Sequence, residues 1–113
     1  MNGRSRATAP TTQNVPTHRP PTPPGEILLH EFIEPMGLSQ SKVAEAIGVS
    51  FQRLNGVVNG RRDLTTSTAL RLARYFGTTP EFWINLQRSV DLYEAMREEG
   101  SEIESIEPLT AAA

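Results

Sequence analysis

The chain has 113 residues, enough for one domain of ordinary size and too few for two independent cores. Its apolar content of 37% falls below the roughly 45–50% of a typical globular chain, so part of it is expected outside the core. A net charge of −2 does not by itself suit a polyanion binder, but the charge is sorted by region: residues 39–77 carry six basic groups against two acids, and residues 78–113 carry eight acids against two arginines. The lack of cysteine excludes disulfide scaffolds, thiolate zinc sites and cysteine nucleophiles, and no apolar run is long enough for a membrane span or a secretory signal, so a soluble cytoplasmic protein is expected.

Residues 1–23 are rich in Thr, Pro and Arg, with prolines from Pro10 onward that forbid a helix or a central strand, and are expected to form a disordered arm. Residues 24–99 show helical periodicity and no alternating strand pattern, which predicts an all-α domain of five helices. Helix 1 begins near Pro24-Gly25, carries the stripe Leu28, Phe32 and Met36, and stops at Gly37. Helix 2 is capped by Ser39, buries Val43 and Ile47, and ends at Gly48; helix 3 is capped by Ser50, buries Leu54 with Val57 or Val58, and stops at Asn59-Gly60. Helix 4 opens at Thr65 or Thr66 with Leu70, Ala73 and Phe76 inward. Thr79-Pro80 opens a long helix 5, whose stripe Phe82, Leu86, Val90, Tyr93 and Met96 runs toward Glu99. Residues 100–113 are acidic, lack aromatics and contain Pro108, and are expected to be a disordered tail.

Gln40 to Asn59 has helix-turn-helix spacing. Ala44 is small where a second helix must cross closely, Gly48 permits a positive φ in the turn, and Val43, Ile47, Val49, Leu54 and Val57 fill the angle between the helices. If helix 3 enters a DNA major groove, its outward face on the helical wheel is Gln52, Asn55, Gly56 and Asn59, with Phe51 and Arg53 beside it. Gln and Asn amides pair with adenine, Arg with guanine or phosphate, and Phe51 either touches a thymine methyl or leans toward Leu54 and Val58. Base contact falls first to Gln52 and then to Asn55, while Asn59 reads as a helix C-cap. Gly56 inside a helix costs about 1 kcal/mol relative to Ala, which calls for a close neighbour such as DNA or else marks poor packing. Ser39, Gln40, Ser50, Arg61 and Arg62 are placed to hold phosphates; Arg71 and Arg74 either extend this basic surface or, as is more usual on an exposed helix, simply solvate it.

Beyond this motif, PPGEILLHEF, GLSQSKVAEAIGVS, RLNGVVNGRR and ALRLARYFGTTPEFWINLQ give residues 23–93 a pattern that resembles the HigA antitoxins, whose fold is similar to the Cro/C1-type (XRE-like) helical domain. The resemblance implies a small dimeric protein that binds its own promoter on double-stranded DNA and neutralises a RelE-like, mRNA-cleaving toxin. Carried over by position, it marks Gln40, Ser50, Gln52, Arg53, Asn55, Arg61 and Arg62 as the DNA face. Phe51 and Gly56 depart from many relatives, and the tails lie outside the match.

Phe82 is read as core, and Trp83, Leu86, Val90 and Tyr93 as the surface of a homodimer, because a two-fold protein must set two recognition helices about 34 Å apart. The acidic stretch from Asp91 to Glu107 either meets a basic toxin or simply solvates. Catalysis is not expected: His18 lies in the arm, and His30 with Glu26 and Glu34 reads as charged surface rather than as a metal face, so no cofactor or metal is implied. The rival readings are a free-standing XRE-type repressor without a toxin and a helical docking module that does not bind DNA.

Overall fold

The computed structural model describes residues 19–110, and among these every regular element is helical. Most of the expected arm, up to residue 18, lies outside the described residues, and residues 19–23 carry no helix or strand. Helix α1 starts at Pro24, with proline in the first turn where its missing N–H costs nothing; it is α-helical over Pro24–Ile27 and continues without a break as a π-helical turn over Leu28–Ile33. The Glu34 N–H donates to Leu29 O at 2.9 Å, a span of five residues that widens the helix and rotates the side chains after it. Burial therefore passes from Leu28 to Ile33, five positions on. Phe32 becomes half-buried and Met36, expected on the same inward stripe, is 55% exposed.

Helices α2 (Gln40–Ile47) and α3 (Phe51–Val58) are capped as their hydroxyl residues predict: Ser39 Oγ accepts from the Lys42 N–H at 3.0 Å and Ser50 Oγ from the Arg53 N–H at 3.1 Å. Gly48 turns the chain between them at φ +79°, a left-handed conformation open to glycine without a Cβ penalty. Val43, Ala44, Ile47, Leu54, Val57 and Val58 are all buried at the crossing. Gly25 lets α1 lie against the end of α3. A Cβ there would fall 2.7 Å from Val58 O and 2.8 Å from Val58 Cα, so no other residue fits without moving backbone.

Helix α4 (Thr66–Phe76) is capped by Thr65, and its inward line is Ala69, Leu72, Ala73 and the half-buried Phe76. Leu70, expected inside, is 53% exposed: it stands one residue, about 100° of helical turn, off the line that starts at Ala69. Helix α5 (Pro80–Glu104) opens on the Thr79 cap and packs against α4 and α1. Its inward line is Trp83 and Gln87, so the expectation that Phe82 is core and Trp83 surface is reversed: Trp83 is fully buried and Phe82 is 38% exposed. The indole Nε1 donates to Thr78 Oγ1 at 2.7 Å, and the ring meets Phe32 and Phe82 at centroid distances of 5.1 and 5.0 Å. This aromatic group ties α1, α4 and α5 together at one end of the domain.

Helix α5 also outruns its expected end at Glu99. It continues through Gly100 to Glu104, so the first part of the expected tail is helical; residues 105–110 follow without helix or strand. At about 1.5 Å per residue it is roughly 37 Å long, and past Gln87 it buries no residue. The molecule is correspondingly elongated, 54 × 33 × 22 Å.

Candidate nucleic-acid interface

The face opposite the α2–α3 crossing gathers most of the residues singled out in the sequence. Along α3, Leu54, Val57 and Val58 face inward, and Phe51, Gln52 and Arg53 stand exposed at its start, with Phe51 45% accessible. Ser39 and Ser50 open α2 and α3 on this side. Each hydroxyl oxygen accepts its capping bond, which leaves the O–H hydrogen to donate outward. The Gln52 and Arg53 side chains are committed to no partner among the described residues. Among the described residues no lysine or arginine lies within ion-pair distance of a carboxylate, the one contact of that kind being between His30 Nδ1 and Glu34 Oε1 at 3.0 Å, so none of the six cations in residues 39–77 is neutralised by a carboxylate. A cationic surface without acidic partners, on a narrow helix end lined with donors, suits a polyanion.

Asn55 differs from its neighbours. It is half-buried and bonded on both sides: its Nδ2 donates to Gln40 Oε1 at 3.0 Å, and its Oδ1 accepts from Asn59 Nδ2 at 3.1 Å and from Arg61 Nη2 at 2.9 Å. This network joins the start of α2 to the end of α3. Asn59 is the C-cap of α3, as its place before Gly60 predicts.

Two expectations need correction. Gly56 is buried, and its close neighbour is not nucleic acid but the side chain of Arg62, whose Cγ and Cδ lie 2.8 Å from the position a Cβ would take. The chain folds back because Gly56 O accepts from the Arg61 and Arg62 N–H groups, which lays the Arg62 stem across the helix. Arg71, expected to extend the basic surface or to solvate it, is instead a structural tie: its Nη1 donates to Ile47 O at 2.8 Å, satisfying a carbonyl at the C-terminus of α2, and its Nε donates to Ser67 Oγ at 3.3 Å.

Trp83 leaves the candidate dimer surface because it is wholly inside the core. Leu86 packs partly against that core, and Val90 and Tyr93 remain half-exposed on the projecting part of α5, where Leu92 at 41% and Ile103 at 40% exposure join them. Sequence reasoning missed Gln87. Its Oε1 accepts from the buried Leu64 N–H at 2.8 Å and its Nε2 donates to Asp91 at 2.9 Å and Asp63 at 3.3 Å, which fastens the segment after α3 to α5. Its signal was its place four residues after Trp83, on the same helix face.

Comparison with known proteins agrees with this geometry. The helix-turn-helix family model matches residues 29–83. Antitoxin HigA-1 of Vibrio cholerae is 41% identical over 93 residues, 82% of this chain and 88% of its own. An uncharacterized helix-turn-helix-type transcriptional regulator of Escherichia coli, YbaQ, is 47% identical over 76 residues, 67% of each chain. Among solved structures, the Pseudomonas aeruginosa antitoxin HigA with the higBA promoter superposes with a TM-score of 0.75 at 40% identity, covering 80% of this chain and 99% of that one. With its capped α2–α3 pair, its unpaired cationic face and relatives of this extent, the chain belongs to the HigA family of helix-turn-helix antitoxins.

Proposed function

We propose that this protein represses its own promoter as a homodimer, with α3 in the major groove, and neutralises a RelE-like, mRNA-cleaving toxin in the cytoplasm. The observation that carries the DNA reading is the exposed face of Phe51, Gln52 and Arg53, flanked by Ser39, Gln40, Ser50, Arg61 and Arg62 and free of carboxylate partners. Gln52 reads a base, Arg53 takes guanine or phosphate, Phe51 meets a thymine methyl, and the serines with Arg61 and Arg62 hold the backbone. The presence of promoter DNA in the Pseudomonas HigA structure supports the same use of this face.

Dimerisation falls to Val90 and Tyr93 with the neighbouring Leu92, since α5 beyond Gln87 has no core to cover. The acidic end of the chain suits a basic toxin. The free-standing repressor is the second reading, favoured by the 47% identity to a transcriptional regulator. No helix among the described residues is long and apolar enough to cross a membrane. The experiment is a gel-shift on the DNA upstream of the protein's own gene, with and without the product of the adjacent gene. Salt-sensitive binding and co-purification of a small basic partner support the antitoxin reading; binding without any partner leaves the repressor, and no binding at low salt overturns both.

A further inference from the structure

The network around Asn55 has a fixed direction. An arginine guanidinium carries only donors, so the atom of Asn55 that meets Arg61 Nη2 at 2.9 Å must be the carbonyl Oδ1. The other end of that amide is then Nδ2, a donor, and the atom of Gln40 facing it at 3.0 Å must be the acceptor Oε1. Asn59, whose amide can turn either end toward it, meets the same Asn55 oxygen through its Nδ2 at 3.1 Å. The remaining end of Gln40 is its NH2 group, which has no protein partner among the described residues and lies at the first residue of α2. Amide groups otherwise turn over freely between donor and acceptor; here a charged residue at the far end of the chain of bonds decides which end faces out.

Resting on the DNA-binding reading above, we propose that Arg61, acting through Asn55, holds the Gln40 amide with its NH2 outward, so that Gln40 meets the DNA backbone as a donor to a phosphate oxygen. Asn55 is on this reading a positioning residue, and Arg61 positions through its Nη2 while its other N–H groups remain for the DNA backbone; Asn55 is withdrawn from bidentate pairing with adenine because its Oδ1 already accepts two bonds within the chain. Without Arg61 the Asn55 and Gln40 amides can reverse together, presenting a carbonyl oxygen to a phosphate.

The test has two arms on the full-length chain. In the free protein, side-chain amide NMR should show a through-hydrogen-bond coupling from Asn55 Nδ2 to the Gln40 side-chain carbonyl, with both Gln40 Nε2 hydrogens exchanging at solvent-exposed rates; Arg61→Ala should weaken that coupling and Arg61→Lys should keep it. On a duplex from upstream of the protein's own gene, Gln40→Ala and Arg61→Ala should each lower affinity, and the double variant should bind about 3- to 10-fold better than the product of the two losses predicts. In an Asn55→Ala background that coupling should vanish. Gln40 Nε2 bonded to Asn55 Oδ1, or strictly multiplicative losses, would overturn the relay. Failure of the wild-type protein to bind the duplex, with the NMR coupling present, would instead count against the DNA reading and leave the amide polarity standing.

Discussion

From Ser39 to Arg62 the polar side chains at the helix starts and around the final turn are held within the chain by caps and by the Gln40–Asn55–Arg61 network, and the exposed groups sit on a rigid crossing of α2 and α3. From Leu92 to Glu104 the chain is equally helical, yet it buries nothing and has no side-chain bond or ion pair to the body among the described residues. The first region is finished by its own packing. The second has the regularity of a helix without the tertiary contacts that usually stabilise one. A preorganised surface saves the entropy of ordering when a ligand arrives, whereas the projecting helix leaves its apolar side chains without a core to cover.

This contrast is broken or sharpened first by core substitutions. Trp83→Ala should cost about 3–5 kcal/mol in urea unfolding, whereas Tyr93→Ala should change unfolding of the dissociated chain by no more than about 0.5 kcal/mol and act on the dimer dissociation constant instead. A large unfolding cost at Tyr93 at high dilution would show that the distal half of α5 is packed after all. Gln52→Ala should lose about 1–3 kcal/mol of binding at one base pair and little at others, measured over a panel of single-base operator variants. Gln87→Ala should destabilise the fold by about 1–3 kcal/mol by orphaning the Leu64 N–H, with slower amide exchange at Leu64 lost first. Ser50→Ala should cost about 1 kcal/mol of stability through the lost cap. The smallest change is Arg62→Ala, which should weaken all DNA sequences alike and reduce the slope of log K against log salt by about 1.

The parts of the molecule governed by local chemistry were legible in the sequence. Ser39, Ser50 and Thr79 cap where a hydroxyl precedes an apolar period, and Ala44, Gly48 and Leu54 fix the helix-turn-helix because each answers a steric demand of the crossing. What escaped was set by tertiary context. A π-helical turn in α1 shifted the inward stripe from Met36 to Ile33, since periodicity read at 3.6 residues assumes every bond spans four. Helix α5 was read one residue out of phase because the polar Gln87 occupies a core position, so the most hydrophobic stripe, starting at Phe82, is not the buried one. Gly56 and Arg71 were misjudged for a common reason. Their roles depend on contacts, to Arg62 and to Ile47, that no spacing along one helix discloses.

The most direct measurement is a hydroxyl-radical footprint of the full-length protein on DNA upstream of its own gene, repeated with Gln52→Ala. Protection should fall on one face of the duplex in two patches about 34 Å apart, and the variant should lose discrimination within the patches while keeping their spacing. A folded protein that leaves this DNA unprotected at low salt, or one whose footprint is unaltered by loss of the Gln52 side chain, would contradict the placement of α3 in the groove.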